Sequence, residues 1–135
     1  MNTQNVLSQE VETSEKTRYP QAELAEFKKI IEEKISECTA EIEDYQKQII
    51  ANTEDMSQLG REDRRSLDGE QEYLKGTQDR TKTFLNQLNQ ALIRIENGTY
   101  GICKTTGKLI SKERLKIVPH ATECIAVKKQ RRKEH

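Results

Sequence analysis

The chain of 135 residues is 33% hydrophobic and 34% charged, holds 4% aromatic residues with no Trp, and balances 23 basic against 23 acidic side chains. That is thin for a layered core but ordinary for a charged helical hairpin with one apolar stripe, and zero net charge excludes a global field pulling the protein onto nucleic acid or an anionic membrane. No apolar run approaches the roughly 20 residues of a membrane span, no signal-peptide core opens the chain, and an odd set of cysteines at 38, 103 and 124 fits a reducing compartment, so a soluble, cytoplasmic protein is expected.

Residues 1–19 carry Val6, Leu7 and Val11 as their only aliphatic side chains, too few to offset the entropy of ordering, and are expected to form a disordered N-terminal tail. Pro20 suits a first helical turn, and after it apolar positions recur at Leu24, Phe27, Ile31, Ile35, Cys38, Ile42, Tyr45 and Ile49 in steps of three and four. This spacing predicts a single-stripe helix on the order of 40 Å long, with a stutter between Ile31 and Ile35 that loosens any supercoil. A second stripe through Leu74, Gln78, Thr81, Leu85, Leu88, Leu92 and Ile95 ends at Asn97-Gly98, a standard helix stop. Between the stripes "ANTEDMSQLGREDRRSLDGEQEY" is polar and contains Gly60 and Gly69, so the chain reverses there. Residues 20–98 therefore read as an antiparallel coiled-coil hairpin with its tip at about 52–68.

After Gly98 the texture changes, and residues 99–135 read as a small separate lobe. Its parts are a knuckle-like turn in "TYGICKTTGK", a short apolar hairpin around Leu109-Ile110, Ser111 placed to cap "KERL", Pro119, and a final Lys/Arg-rich helix from about Thr122. The fold class is mostly α: a long antiparallel coiled-coil hairpin with a zinc-finger-like C-terminal lobe and a C-terminal helix.

A metal knuckle takes two thiolates from C-x-x-C followed by Gly; here Cys103 is followed by Thr106 and then Gly107, so the turn survives and a ligand does not. No Ser/His/Asp or Cys/His arrangement and no Gly-rich phosphate loop accompanies it, so no enzyme is expected.

The segments "ALIRIENGTYGIC", "TGKLISKERL" and "VPHATECI" resemble the DksA/TraR family of bacterial RNA-polymerase-binding regulators, particularly the forms of Bacteroidetes-type bacteria. The resemblance covers about residues 91 to 128, and the helix-loop-helix layout upstream is what the family requires. It implies a zinc-bound lobe beside a coiled coil whose tip enters the secondary channel of RNA polymerase, often acting together with ppGpp. The family's lobe carries two C-x-x-C pairs; this chain matches them with Cys103 and Cys124 and replaces the other two ligands by Thr106 and Val127. Two thiolates forfeit much of the roughly 10 to 16 kcal/mol that a four-ligand zinc supplies to folding, so no cofactor is expected and zinc would meet a degenerate site. His120 is the one candidate third ligand, and Cys103 with Cys124 are a candidate redox pair, against the plainer reading that both are small buried hydrophobes.

The same resemblance directs attention to the acidic tip residues Glu54, Asp55, Glu62 and Asp63. Registered without gaps from Cys103, the family's Asp-x-x-Asp-x-Ala pattern falls on Gly60, Asp63 and Arg65, so only its second Asp is kept, and "TEDM" competes for the role if the loop carries an indel. Positions that contact ppGpp fall on Arg80, Thr83, Gln87 and Lys128; with two of four still basic, alarmone binding is expected to be weakened. The expected partner is RNA polymerase, with no sequence-specific DNA contact, no membrane and a monomeric chain. The competing functions are a Gre-like secondary-channel factor that stimulates transcript cleavage through an acidic pair, and a structural coiled-coil adaptor.

Overall fold

A computed structural model describes residues 18–134; most of the expected tail, residues 1–17, lies outside the described residues. Four helices follow in order: α1 Gln21–Met56, α2 Arg61–Asn97, α3 Lys112–Ile117 and α4 Ile125–Glu134. The chain divides into two compact units. One is Glu32–Asn89, the other is formed by Gln90–His135 together with the chain up to Ile31.

Within Glu32–Asn89 the two long helices pair antiparallel. Register is visible in two glutamines of α2: Gln71 Nε2 donates to the Ile49 carbonyl at 3.2 Å and to Thr53 Oγ1 at 3.0 Å, while Gln78 Nε2 donates to the Ile42 carbonyl at 3.2 Å and to Gln46 Oε1 at 2.9 Å. Every stripe position of the sequence in this unit is buried or half-buried, with Cys38, Ile49, Leu74, Gln78 and Leu88 the most enclosed. The helices run further than the apolar stripes suggest. Asn52, Met56 and Leu67 are half-buried and extend the seam, leaving only residues 57–60 outside helix at the turn. That turn is held by Gln58 N–H to the Asp55 carbonyl at 3.0 Å and by Arg64 Nε to the Met56 carbonyl at 2.8 Å.

The other unit begins with Arg18 and Tyr19. Tyr19, assigned by the sequence to the tail, is buried, and its hydroxyl donates to the Ile110 carbonyl. Its ring meets Phe27 edge-on at 5.6 Å, and Phe27 in turn meets Tyr100 at 5.3 Å. Around this aromatic row lie Leu24, Ile31, Ala91, Cys103, Ile110, Leu115 and Pro119, all buried. Such edge and tilted ring pairs contribute on the order of 1 kcal/mol each beyond area burial, which matters where large apolar residues are scarce. Three aromatics thus replace the larger core that the composition lacks.

Helix α2 stops in a Schellman arrangement. Gly98 has φ 79°, its N–H donates to the Ile95 carbonyl at 3.1 Å, and Thr99 N–H donates to the Arg94 carbonyl at 2.9 Å. The expected hairpin is one antiparallel bridge between Ile102 and Leu109, reinforced by Ile110 N–H to the Gly101 carbonyl at 2.7 Å. Ser111 caps α3 by accepting Arg114 N–H at 3.2 Å, as its position before "KERL" predicts. The last helix starts at Ile125, three residues later than the sequence suggested, because Thr122 is held in an extended link by Lys104 N–H at 2.9 Å.

Candidate functional site

The knuckle turn forms despite its missing ligand. Gly107, at φ 75°, donates its N–H to the Cys103 carbonyl at 2.8 Å, and Cys103 N–H donates to the Lys108 carbonyl at 2.8 Å. The Cys103 sulfur is fully buried and accepts N–H bonds from Thr106 at 3.5 Å and Cys124 at 3.4 Å. Burial pushes this thiol up, but hydrogen bonds from the Thr106 hydroxyl and from the N–H groups of Cys124, Thr106 and Thr105 outweigh it and bring the pKa down to about 6. The turn therefore favours a thiolate, as a metal knuckle does.

The remaining positions do not complete a metal shell. Thr106 Oγ1 accepts Lys108 N–H at 3.2 Å, and an alcohol so engaged is a poor zinc donor. Val127, a hydrocarbon side chain, offers no ligand. Among the described residues no three His, Cys, Asp or Glu gather as a metal-holding group, so His120 does not join Cys103 and Cys124 as the suggested third ligand. His120 instead receives the Arg94 guanidinium on its carbonyl at 3.5 Å; burial lowers its pKa, as do the charges of Arg94, Arg114 and Lys128. The residues present do not fit a four-ligand zinc.

One side chain that sequence reasoning passed over stands at the centre of this turn. Glu123 is 3% exposed, its Oε2 accepts Thr105 Oγ1–H at 2.9 Å, its Oε1 accepts Arg131 Nη1 at 2.7 Å, and its carbonyl accepts Arg114 Nε at 3.2 Å. The Arg131 bond holds its carboxyl below the usual range, with burial opposing and Thr105 assisting. Its only signal in the sequence is a lone acid inside a basic segment.

At the other candidate position, the hairpin turn, Glu54 and Asp55 lie in the last turn of α1 and Glu62 and Asp63 in the first turn of α2, all exposed. None of them takes part in an ion pair among the described residues. Their electrostatic settings differ. Glu62 and Asp63 stand at a helix N-terminus, where the macrodipole favours carboxylates; Glu54 and Asp55 stand at a C-terminus, where it opposes them and where the last turn of α1 holds no basic residue of its own, the Met56 carbonyl being met instead by Arg64 of α2.

Of the expected alarmone positions, Arg80 belongs to the Glu32–Asn89 unit, where Nη2 donates to Thr77 Oγ1 at 3.0 Å and the side chain lines a cavity of about 360 Å³ with Lys34, Glu37, Cys38 and Glu41. Lys128 belongs to the other unit, exposed on α4, where its N–H donates to the Cys124 carbonyl at 3.2 Å.

Comparison with known proteins points in one direction. A family model described as the prokaryotic dksA/traR C4-type zinc finger matches residues 98–133. The RNA polymerase-binding transcription factor DksA of Caulobacter vibrioides is 38% identical over 72 residues, which cover 53% of this chain and 49% of that protein. General stress protein 16O of Bacillus subtilis is 45% identical over 40 residues, covering 30% of this chain and 24% of its own length. The chain thus matches about half the length of the Caulobacter relative. The solved structure of transcription factor DksA2 from Pseudomonas aeruginosa superposes with a TM-score of 0.74 at 27% identity, covering 84% of this chain and 85% of that one. A finger-type turn without its full ligand set, a paired-helix hairpin and these likenesses converge: residues 98–133 match the dksA/traR finger model, and the chain is similar to proteins of the DksA/TraR family.

Proposed function

We propose that this protein is a transcription regulator that binds RNA polymerase and presents its hairpin turn within the enzyme's secondary channel to modulate initiation, working as a non-enzymatic, cytoplasmic monomer. The name of the Caulobacter relative supports the partner. The observation that carries the active turn is the placement of Glu54 and Asp55 at the C-terminal end of α1, where helix electrostatics disfavour them. Carboxylates that cost stability where they stand are retained more readily if they meet something else, such as a basic channel wall or a polymerase-bound cation. With Arg80 and Lys128 as the only basic side chains kept at the alarmone positions, ppGpp dependence is weak.

Co-purification and promoter-initiation assays comparing the unaltered chain with Asp63→Asn and with Glu54→Gln/Asp55→Asn test this. Retained polymerase binding with a lost effect on initiation is expected; absence of association with polymerase overturns the proposal. Two adjacent acidic pairs, Glu54-Asp55 and Glu62-Asp63, favour a second reading, stimulation of transcript cleavage. Cleavage by a stalled polymerase that rises on adding the chain and vanishes with the quadruple amide variant selects that reading.

A further inference from the structure

We propose that Glu123 and the hydrogen-bonded Cys103 sulfur close the lobe where its relatives' finger motif would use zinc, making Glu123 the residue on which the fold of this metal-independent lobe turns. In a C4 finger the metal does one mechanical job: it ties the first knuckle to the segment that carries the second cysteine pair. The corresponding segments here are the turn at residues 103–107 and the stretch from Thr122 into α4. Three bonds cross between them without any metal. Lys104 N–H reaches the Thr122 carbonyl at 2.9 Å, Cys124 N–H reaches the Cys103 sulfur at 3.4 Å, and the Thr105 hydroxyl reaches Glu123 Oε2 at 2.9 Å. The second carboxylate oxygen of Glu123 then takes Arg131 at 2.7 Å, so one buried side chain fastens the knuckle and α4 together.

The chemistry of the substitution is self-consistent. Thr106 and Val127 remove two ligands, and the Thr106 N–H instead donates to the Cys103 sulfur at 3.5 Å. A buried carboxylate is costly unless both oxygens are paired, and here both are, by donors from the two segments that must be joined. Arg114 Nε on the Glu123 carbonyl fixes the backbone at the same point and brings α3 into the fastening. Glu123→Gln puts one oxygen and one amide NH2 where two acceptors stood, so one of the bonds from Thr105 and Arg131 is lost and the buried amide faces a donor.

The test is amide hydrogen exchange on the full chain, read at the N–H groups of Lys104, Gly107 and Cys124, with metal content measured on the same samples. In the unaltered chain, protection is expected to be the same with added zinc or with a chelator. Glu123→Gln is expected to speed exchange at these amides about tenfold or more while leaving those of the Glu32–Asn89 hairpin unchanged. In Glu123→Gln/Thr106→Cys/Val127→Cys, which rebuilds four thiols, zinc is expected to bind at one per chain and restore protection. Should Glu123→Gln fail to fold, Thr105→Val and Arg131→Gln each remove one of the two bonds, and a partial loss of protection in both supports the clamp. One zinc per unaltered chain with protection lost on chelation, or exchange unaffected by Glu123→Gln, overturns the proposal, as does unaffected exchange in both single-bond variants.

Discussion

At Gly101 the backbone leaves no room for a side chain: a Cβ would stand 2.6 Å from the Tyr19 ring, at a φ of 81° that L residues rarely adopt. Both penalties fall on the residue that lets Tyr19 lie against the lobe, so Gly101→Ala is expected to cost roughly 2 to 4 kcal/mol in urea unfolding. Gly107 is its internal control. With φ 75° but open space around it, Gly107→Ala pays the backbone strain alone and is expected to cost roughly 1 to 2 kcal/mol. Equal losses at the two glycines would show that Tyr19 does not pack as described. Cys103 makes a separate prediction. Its folded pKa of about 6 lies below the ordinary thiol value, so the stability it contributes is fully present above the unfolded pKa, declines as pH falls toward about 6, and is gone below that. Thiolate absorbance near 240 nm is therefore expected to titrate near pH 6 in the folded chain and to move to the ordinary thiol range in denaturant. Titration at the ordinary value in the folded chain would mean that the donors around the sulfur do not act together.

Along the two long helices the seam is unusual for placing carboxamides where leucines are common. Gln71 and Gln78 are buried and tie α2 to carbonyls of α1, yet Gln71 Oε1 and Asn52 Nδ2 have no hydrogen-bond partner among the described residues. An orphaned buried polar atom costs about 1 to 3 kcal/mol, so Gln71→Met is expected to be neutral or to raise stability by about 1 kcal/mol in thermal unfolding, with register set by Gln78 alone. Gln78→Leu made in addition is expected to keep or raise stability while loosening register, read as new cross-link pairs between cysteines placed on the two helices. A stability loss of more than about 2 kcal/mol from Gln71→Met alone would show that its two donated bonds outweigh the orphaned oxygen. The same residues explain what the sequence made legible. Leu24 through Ile49 and Leu74 through Ile95 announce their helices because apolar spacing of three and four has no other simple reading, and Asn97-Gly98 announces a stop for a backbone reason. Gln71 hid from that reading because its contribution to the seam is polar. Tyr19 and Glu123 hid because their partners, Ile110 for the first and Thr105 and Arg131 for the second, are set by tertiary folding, which no local period reports. The knuckle was legible from Cys103 and Gly107, but the means by which it is closed was not.

Across the whole chain, the zero net charge conceals a strong division. Residues 98–135 hold ten Lys and Arg against three Asp and Glu, a net of +7, which leaves residues 1–97 at −7. Composition alone argued against a global pull toward a polyanion, and the division qualifies that argument: at physiological salt screening acts over about 8 Å, so a contact is decided by local charge rather than by the net charge. Several lobe cations are already engaged within the fold, Lys112 with Glu23 at 3.3 Å and Arg131 with Glu123 at 2.7 Å, whereas Lys128, Lys129 and Arg132 are exposed on α4. A polymerase partner contacted through both parts must then present an acidic patch to α4 and a basic one to the hairpin turn. Neutralising Lys128, Lys129 and Arg132 to Gln is expected to slow association with RNA polymerase by roughly three- to tenfold at low salt and to flatten its salt dependence, because exposed charges act mainly on the rate of encounter. Glu54→Gln/Asp55→Asn is expected to abolish the effect on initiation while the chain still associates with RNA polymerase. Association kinetics measured at two salt concentrations, alongside initiation from one responsive promoter, separate the two. If the triple lysine and arginine variant associates as fast as the unaltered chain at low salt, α4 is not a docking face.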